Sequence, residues 1–117
     1  MSLTVYHNPR CRKSREAVHY LEEKGKDFEI VKYLEQPFDR DTLREVLNKI
    51  NKKPLEIIRK NETLWKKEFS SKQWSEEELL DLLISHPKLI ERPIVTDTKS
   101  GVLARPLENL VDFLQQH

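Results

Sequence analysis

The stretch Leu3-Thr4-Val5-Tyr6-His7-Asn8-Pro9-Arg10-Cys11-Arg12-Lys13-Ser14-Arg15 determines how the rest of the sequence can be interpreted. Residues 3–6 form a short β-prone run, and the turn-prone His7-Asn8-Pro9 ends it. Residues 14–24 then follow a helical pattern whose apolar face holds Ala17, Val18 and Leu21. The stretch therefore predicts a strand, a loop and a helix, with Cys11 where the helix begins.

A second strand is predicted at residues 28–34, with Phe28, Ile30 and Lys32 on one side. Strand, helix and strand within about 30 residues predict a right-handed βαβ unit with parallel strands. A helix capped by Asp39 or Asp41 is expected next. Its apolar positions are Leu43, Val46, Leu47 and Ile50.

The remaining sequence predicts further helices and a hairpin. Pro54 can open a short helix, residues 61–74 suggest a helical turn and a loop, and Ser75 with Glu78 forms a capping box before a leucine-rich helix. A β-hairpin is expected at residues 94–104. Pro106 can start the final helix, whose apolar face would hold Leu107, Leu110, Val111 and Leu114. We predict one α/β domain over residues 1–117, with a mixed βαβ…ββα sheet, helices on both faces and a helical insertion at about residues 39–90.

Composition excludes several classes of function. The chain has 117 residues, which suits one domain, and its net charge of +1 gives no general attraction to nucleic acid or anionic membrane. No apolar run approaches the roughly 20 residues that a membrane span needs. The first residues lack the features of a signal peptide. We therefore expect a cytoplasmic protein without nucleic-acid or membrane partners.

Cys11 is the single cysteine of the sequence. An internal disulfide is impossible, and a cysteine-rich zinc site is excluded because the other soft ligands are four scattered histidines. We expect no metal and no bound cofactor. If Cys11 takes part in redox chemistry, the second thiol must come from another molecule.

The position of Cys11 predicts a reactive thiol. A helix start offers free N–H groups and the positive end of the helix dipole. The neighbouring side chains of Arg10, Arg12, Lys13 and Arg15 add positive charge, and His7 could add more. These conditions lower the pKa of a thiol, so we expect the pKa of Cys11 well below its ordinary value. The same loop could hold an oxyanion. The alternative is a buried structural cysteine.

Three arginines far apart in the sequence are candidates for binding an oxyanion. Arg59 ends an apolar run, Arg92 precedes a predicted strand, and Arg105 follows one. Arginine suits forked binding of tetrahedral oxyanions, although by residue pattern alone a solvated surface charge is the better interpretation of each one taken singly. Pro93, at the strand entrance, could form a cis peptide with Arg92 or be an ordinary trans proline at an edge.

These motifs resemble the glutaredoxin/thioredoxin-fold arsenate reductases of the glutathione-dependent bacterial type, over nearly the whole chain. The matching segments, in the family's order, are Tyr6-His7-Asn8-Pro9-Arg10-Cys11, Ser14-Arg15, Ile58-Arg59-Lys60-Asn61, Arg92-Pro93-Ile94-Val95 and Ala104-Arg105-Pro106. The resemblance implies a thioredoxin-like oxidoreductase of arsenical resistance. Cys11 would attack arsenate or a similar oxyanion, glutathione would be the co-substrate, and glutaredoxin would be the partner.

The resemblance also implies roles for the residues around Cys11. His7 and Ser14 would belong to the catalytic group with Cys11. The substrate-binding residues would be Asn8, Arg59, Arg92, Pro93 and Arg105. With the resemblance added to the strand-entry proline, we predict that the Arg92-Pro93 peptide is cis and faces Cys11 across the site.

The sequence departs from the family after the cysteine. Arg12-Lys13 stands where arsenate reductases carry small residues. Ser14 stands where related redox regulators that bind RNA polymerase often carry a second cysteine, so an internal disulfide switch is lost. Two alternatives therefore stay open, a general glutathione-linked thiol oxidoreductase and a redox-regulatory module that binds RNA polymerase or another protein.

Overall fold

Strands and helices alternate at the two ends of the chain in the computed structural model, which describes residues 2–116. The elements are β1 Leu3–Tyr6, α1 Arg12–Glu23, β2 Phe28–Val31, α2 Arg40–Ile50, α3 Glu76–Ser85, β3 Ile94–Thr96, β4 Gly101–Leu103 and α4 Leu107–Gln116. The predicted βαβ…ββα order is confirmed, and the helical elements between β2 and β3 fall within the predicted insertion. The domain bounds 1–117 stay a prediction, and Met1 and His117 lie outside the described residues.

The four strands of the described chain form a mixed sheet in the order β2-β1-β3-β4. β1 is parallel to β2 and antiparallel to β3, and β4 is antiparallel to β3. Tyr6 pairs with Val31 and with Ile94, and Ile94 pairs with Leu103. The ends of β1, β2 and β4 and the start of β3 therefore share one edge of the sheet, which we call the site edge.

Helices cover both faces of the sheet, as predicted. Val5 and Val95 are buried in a cluster with residues of α1 and α4, including Ala17, Leu21 and Leu110. The neighbouring positions Tyr6, Ile94 and Leu103 face the other way and pack against the core that α2 and α3 form. The period-2 alternation of the strands thus divides the apolar residues between two cores.

Local sequence signals explain the two helices of the insertion. Asp39, rather than Asp41, caps α2, because its carboxylate accepts a hydrogen bond of 2.7 Å from the Thr42 N–H. Ser75 and Glu78 form the predicted capping box of α3. The predicted apolar faces are buried: Leu43, Val46, Leu47 and Ile50 in α2, and Leu79, Leu80, Leu82 and Leu83 in α3.

The structure corrects the end of the second strand. β2 ends at Val31, because the C=O of Lys32 accepts hydrogen bonds from the N–H groups of Glu35 and Gln36, at 2.9 and 2.8 Å. The chain therefore turns at Lys32, which was expected to continue the strand.

The structure refines one further helical prediction and corrects another. Trp65–Phe69, within the region expected to hold a helical turn and a loop, forms a turn of π-helix. In it the Ser70 N–H donates to the Trp65 C=O at 2.8 Å. The final helix begins at Leu107, and its buried face contains Leu110 and the larger Phe113 in place of Val111. Within residues 2–116, no helix has both the length and the apolar composition needed to cross a membrane.

Candidate active site at the sheet edge

The loop from β1 to α1 places Cys11 at the site edge. The His7 N–H donates to the Val31 C=O at 2.9 Å, which extends the pairing of β1 with β2. The chain then turns, because the Cys11 N–H donates to the Asn8 C=O at 2.9 Å. The side-chain oxygen of Asn8 accepts from the Arg10 N–H at 3.1 Å. Asn8 therefore shapes the loop, and its role in substrate binding stays a prediction.

Cys11 is the N-cap residue of α1. Its backbone is extended, and its C=O accepts the first helical hydrogen bond, 3.1 Å from the Arg15 N–H. In this position a side chain faces the free N–H groups of the first turn. The sulfur takes the place that the oxygen of a serine or aspartate cap would occupy.

The pKa of Cys11 is lowered, in the predicted direction. The residue is only 8% exposed, and this burial, the largest single influence, raises the pKa of the thiol. The Ser14 N–H, a hydrogen bond and charge from the Arg92 guanidinium, and the Lys13 N–H together outweigh it. No capping hydrogen bond of regular geometry forms, so the two amides act as nearby N–H dipoles. The thiolate is thus favoured in a partly dry site.

The basic residues next to Cys11 in sequence are not the main source of this effect, which corrects our expectation. Arg12 is 85% exposed at its side chain and lies 3.8 Å from Glu16. Arg15 donates to the Pro9 C=O at 3.0 Å. The pKa of His7 is lowered by burial, and further by the charges of Lys32 and Arg15, so the imidazole is neutral at neutral pH. The cation that faces the sulfur is Arg92, from the far end of the chain.

Arg92 reaches the site because it lies two residues before β3, separated from it by Pro93. The residue is buried, and the Arg92-Pro93 peptide is cis, as predicted. The Arg105-Pro106 peptide is also cis, which the sequence did not indicate. Pro93 is itself buried, and its C=O accepts from the Ala104 N–H at 2.9 Å, which ties the two ends of the hairpin together.

Arg59 reaches the same place through a short antiparallel pairing. Ile58 bridges Ile90, and the Arg59 N–H donates to the Leu89 C=O at 2.7 Å. The Arg59 side chain is 24% exposed, and its guanidinium lies 3.9 Å from the Glu91 carboxylate and 3.6 Å from that of Glu62. The pairing therefore brings Arg59 beside the segment that leads into Arg92.

Arg105 follows β4 at the site edge, but it is exposed. Arg92 faces the Cys11 sulfur directly, and Arg59 lies beside the segment that leads into Arg92. Among residues 2–116, no described contact places the Arg105 guanidinium at Cys11. The role of Arg105 stays a prediction.

Tyr33 is a site residue that the sequence reasoning missed. Burial raises the pKa of its hydroxyl to about 12, with smaller influences from Arg92, Cys11, Arg59 and Glu91. The phenol therefore lies among the same groups and stays protonated. In the sequence Tyr33 fell within the strand predicted at residues 28–34, so no pattern marked it as a site residue; the structure places it two residues after β2, at the site edge.

Several polar atoms at this edge are buried without a partner. Within the described residues, the buried side-chain atoms that lack a hydrogen bond are His7 Nδ1, Ser14 Oγ, Tyr33 OH and Arg92 Nε. Each such group costs about 1–3 kcal/mol when it is left unpaired, and groups of this kind occur where a ligand binds. The arrangement offers an oxyanion several donors around one thiolate.

Other features of the described chain do not compete with this site. A cleft of about 580 Å³ lies between the end of α2 and the start of α3, and its lining includes Arg44, Lys53 and Glu76 but neither Cys11 nor the residues around it. No three side chains among His, Cys, Asp and Glu of residues 2–116 come together as a metal cluster would. The chemistry of the site edge identifies it as the candidate active site.

Comparisons with known proteins agree with this geometry. The model of the ArsC family matches residues 6–113. An arsenate reductase from Neisseria meningitidis is 37% identical over 110 residues, which cover 92% of this chain and 94% of the relative. An Escherichia coli protein called uncharacterized, YfgD, is 39% identical over 112 residues, 94% of each chain. The solved structure of an arsenate reductase from Vibrio cholerae superposes with a TM-score of 0.90 at 34% identity, covering 96% of this chain and 97% of that one.

Proposed function

The chain belongs to the ArsC family, and we propose that it reduces arsenate to arsenite with Cys11 as the nucleophile and with glutathione and glutaredoxin as external reductants. The observation that carries the proposal is the state of Cys11 at the start of α1. Its sulfur is buried, and the Arg92 side chain donates a hydrogen bond to it. A thiolate is the form that attacks an electrophilic centre.

Arsenate would bind at the site edge, against the first turn of α1. The Arg92 and Arg59 guanidinium groups are planar forks that suit a tetrahedral oxyanion. Arg105 leaves β4 at the same edge and would complete the set when the anion is bound. Glu91 and Glu62 pair with Arg59 at 3.9 and 3.6 Å, so the anion would compete with these carboxylates.

The first chemical step leaves arsenic at its pentavalent level. The Cys11 thiolate forms a bond to arsenic, and one arsenate oxygen leaves as water after it takes up protons. The arginines stabilise the charge on the remaining oxygens while the reacting centre is crowded. Ser14 and His7 would position the loop and the sulfur for this attack.

The reduction itself needs two electrons from outside the chain. With one cysteine, the protein cannot supply the second thiol. One arsenate and two thiols give one arsenite, one disulfide and one water. A glutathione thiolate would attack the Cys11 sulfur of the covalent adduct, so that the sulfur–arsenic bond breaks, its electron pair stays on arsenic and arsenite leaves. Glutaredoxin would then reduce the resulting Cys11–glutathione disulfide and free Cys11. This choice of external thiols rests on the resemblance to the glutathione-dependent type.

A coupled assay tests the proposal through the arginines. With arsenate, glutathione and glutaredoxin, wild-type protein should consume reducing equivalents, and Cys11→Ser should not. Losing a hydrogen bond to a charged group costs about 1.5–3 kcal/mol, so Arg59→Ala, Arg92→Ala and Arg105→Ala should each lower turnover about tenfold to a hundredfold. Arginine-to-lysine changes should recover only part of this loss, because a point charge does not reproduce the fork.

The control is Lys66→Ala, an exposed position in the π-helical turn, which should leave turnover unchanged. Full turnover in all three alanine variants would refute the oxyanion site. If the wild-type protein binds arsenate without reducing it, the result favours a general glutathione-linked oxidoreductase. This alternative is tested because the bulky Arg12-Lys13 pair lies beside Cys11. If the wild-type protein neither binds nor reduces arsenate, the result favours the alternative of a redox-regulatory module that binds another protein.

A further inference from the structure

Tyr33 is a buried tyrosine with a polar atom that residues 2–116 leave unpaired. The side chain is 1% exposed and belongs to the core beneath α2 and α3. Its ring packs near that of Phe38, with 6.1 Å between the ring centroids. The hydroxyl nevertheless lacks a hydrogen-bond partner among the described residues. A phenylalanine would fill the same space without leaving a buried donor unpaired.

The surroundings of the hydroxyl point to the candidate active site. Tyr33 follows β2, whose last residue Val31 accepts the His7 N–H at the base of the Cys11 loop. The charges that act on the phenol are those of Arg92, Cys11, Arg59 and Glu91. The hydroxyl therefore lies within electrostatic range of the thiol and of both arginines, while the ring is buried in the core.

We propose that the Tyr33 hydroxyl donates a hydrogen bond to an oxygen of the oxyanion held between Cys11, Arg59 and Arg92, which makes Tyr33 a further substrate-contacting residue. This inference rests on the proposed function. It assigns the one buried phenol of the site edge to ligand binding. It also explains why the hydroxyl is left unpaired in the protein alone, at a cost that a bound anion would remove.

A neutral donor serves this reaction in a way that another cation does not. As the sulfur attacks, negative charge moves onto the anion's oxygens, where a prepositioned donor stabilises it. A further positive charge beside Cys11 would also lower the pKa of the thiol, and nucleophilicity falls as the pKa of a thiol falls. Tyr33 stays protonated at neutral pH because burial raises its pKa to about 12. It can therefore stabilise the anion with little effect on the thiolate.

The test compares Tyr33→Phe with Tyr20→Phe, a matched change on α1 at a partly buried tyrosine that packs in the other core. Arsenate binding is measured as protection of Cys11 against alkylation, turnover by the coupled assay, and stability by thermal unfolding of the free protein.

Tyr33→Phe should weaken binding or turnover about tenfold to a hundredfold, as the loss of a hydrogen bond to a charged group predicts. Its melting temperature should equal or exceed that of the wild type, because a buried unpaired hydroxyl is removed. Tyr20→Phe should match the wild type in binding and turnover.

Three outcomes would overturn the proposal. Tyr33→Phe with full binding and turnover would show that the hydroxyl does not touch the anion. A lowered melting temperature with unchanged binding, or failure of the variant to fold, would show that the hydroxyl has a structural partner instead. A wild type that shows neither protection nor turnover would refute the proposed function, and this inference with it. If the wild type is active and Tyr33→Phe is equally active, only this inference is refuted, so the two failures can be told apart.

Discussion

Among single residues, Arg92 is the side chain that lowers the pKa of the Cys11 thiol, beside the N–H groups of Ser14 and Lys13. Burial alone would raise the pKa of Cys11 and leave it as an unreactive thiol. The Ser14 N–H, the Arg92 guanidinium through a hydrogen bond and its charge, and the Lys13 N–H together reverse this, and Arg92 is itself buried. Arginine keeps its charge at every pH of interest, so the stabilisation of the thiolate does not depend on the titration of a second group.

Replacing Arg92 by methionine should raise the pKa of Cys11, because the effect of burial is then opposed only by the helix-start amides. The rate of Cys11 alkylation against pH measures this, since the thiolate is the reacting form. The matched control is Arg12→Met, which removes a charge next to Cys11 in sequence but one that is exposed and paired with Glu16. An equal shift in both variants would contradict the assignment of Arg92.

The sequence identified the cysteine but not the source of its activation. Cys11 was recognisable because a strand, a turn and a helix surround it within a short stretch. The directions of the Arg12 and Arg15 side chains could not be predicted from the sequence, because they depend on which face of α1 packs on the sheet. Tyr33 was missed since a tyrosine after a strand looks like any core aromatic, and only its unpaired hydroxyl distinguishes it.

At the level of elements, the β3–β4 hairpin positions the arginines, because Arg92 precedes it and Arg105 follows it. Gly101 opens β4 opposite Thr96. A Cβ at Gly101 would lie 2.7 Å from Thr96 Cγ2, 2.9 Å from the Val95 carbonyl oxygen and 3.1 Å from Ile50 Cγ2. The hairpin can therefore lie close to α2 only with glycine at this position.

Gly101→Ala should destabilise the protein by about 1–3 kcal/mol, as overpacking does, and should lower arsenate turnover because the hairpin carries Arg92. Urea unfolding and the coupled assay measure the two effects. Gly25→Ala is the comparison, since its Cβ meets open space but its φ is +65°. It should cost about 1–2 kcal/mol for the left-handed backbone and leave turnover intact. Wild-type stability in Gly101→Ala would show that the contacts are relaxed without cost.

Elements with strong local signals were predictable, and those set by packing were not. The apolar stripes of α2 and α3 and the capping box at Ser75 are local patterns that the structure repeats. The π-helical turn at Trp65–Phe69 has no propensity signal of its own. It is accompanied by a hydrogen bond of 2.9 Å from the Trp74 indole N–H to the Phe69 C=O, a contact that periodicity does not reveal.

For the whole molecule, sheet topology is what makes a site from distant residues. The strand order β2-β1-β3-β4 brings the ends of β1, β2 and β4 and the start of β3 to one edge. The parallel βαβ unit followed from the sequence pattern. The position of β3 beside β1, which brings Arg92 to Cys11, was not predicted from the sequence, because strand order depends on long-range pairing that hydrophobic periodicity does not encode.

The most direct test of an activated thiolate inside an oxyanion site is the alkylation rate of wild-type Cys11 against pH, with and without arsenate. Because the chain has one cysteine, the signal reports on that residue alone. The account predicts an ionisation below the ordinary thiol pKa of about 8.5, and a rate that falls as arsenate fills the site. An ionisation at or above that value, with a rate that arsenate leaves unchanged, would contradict it.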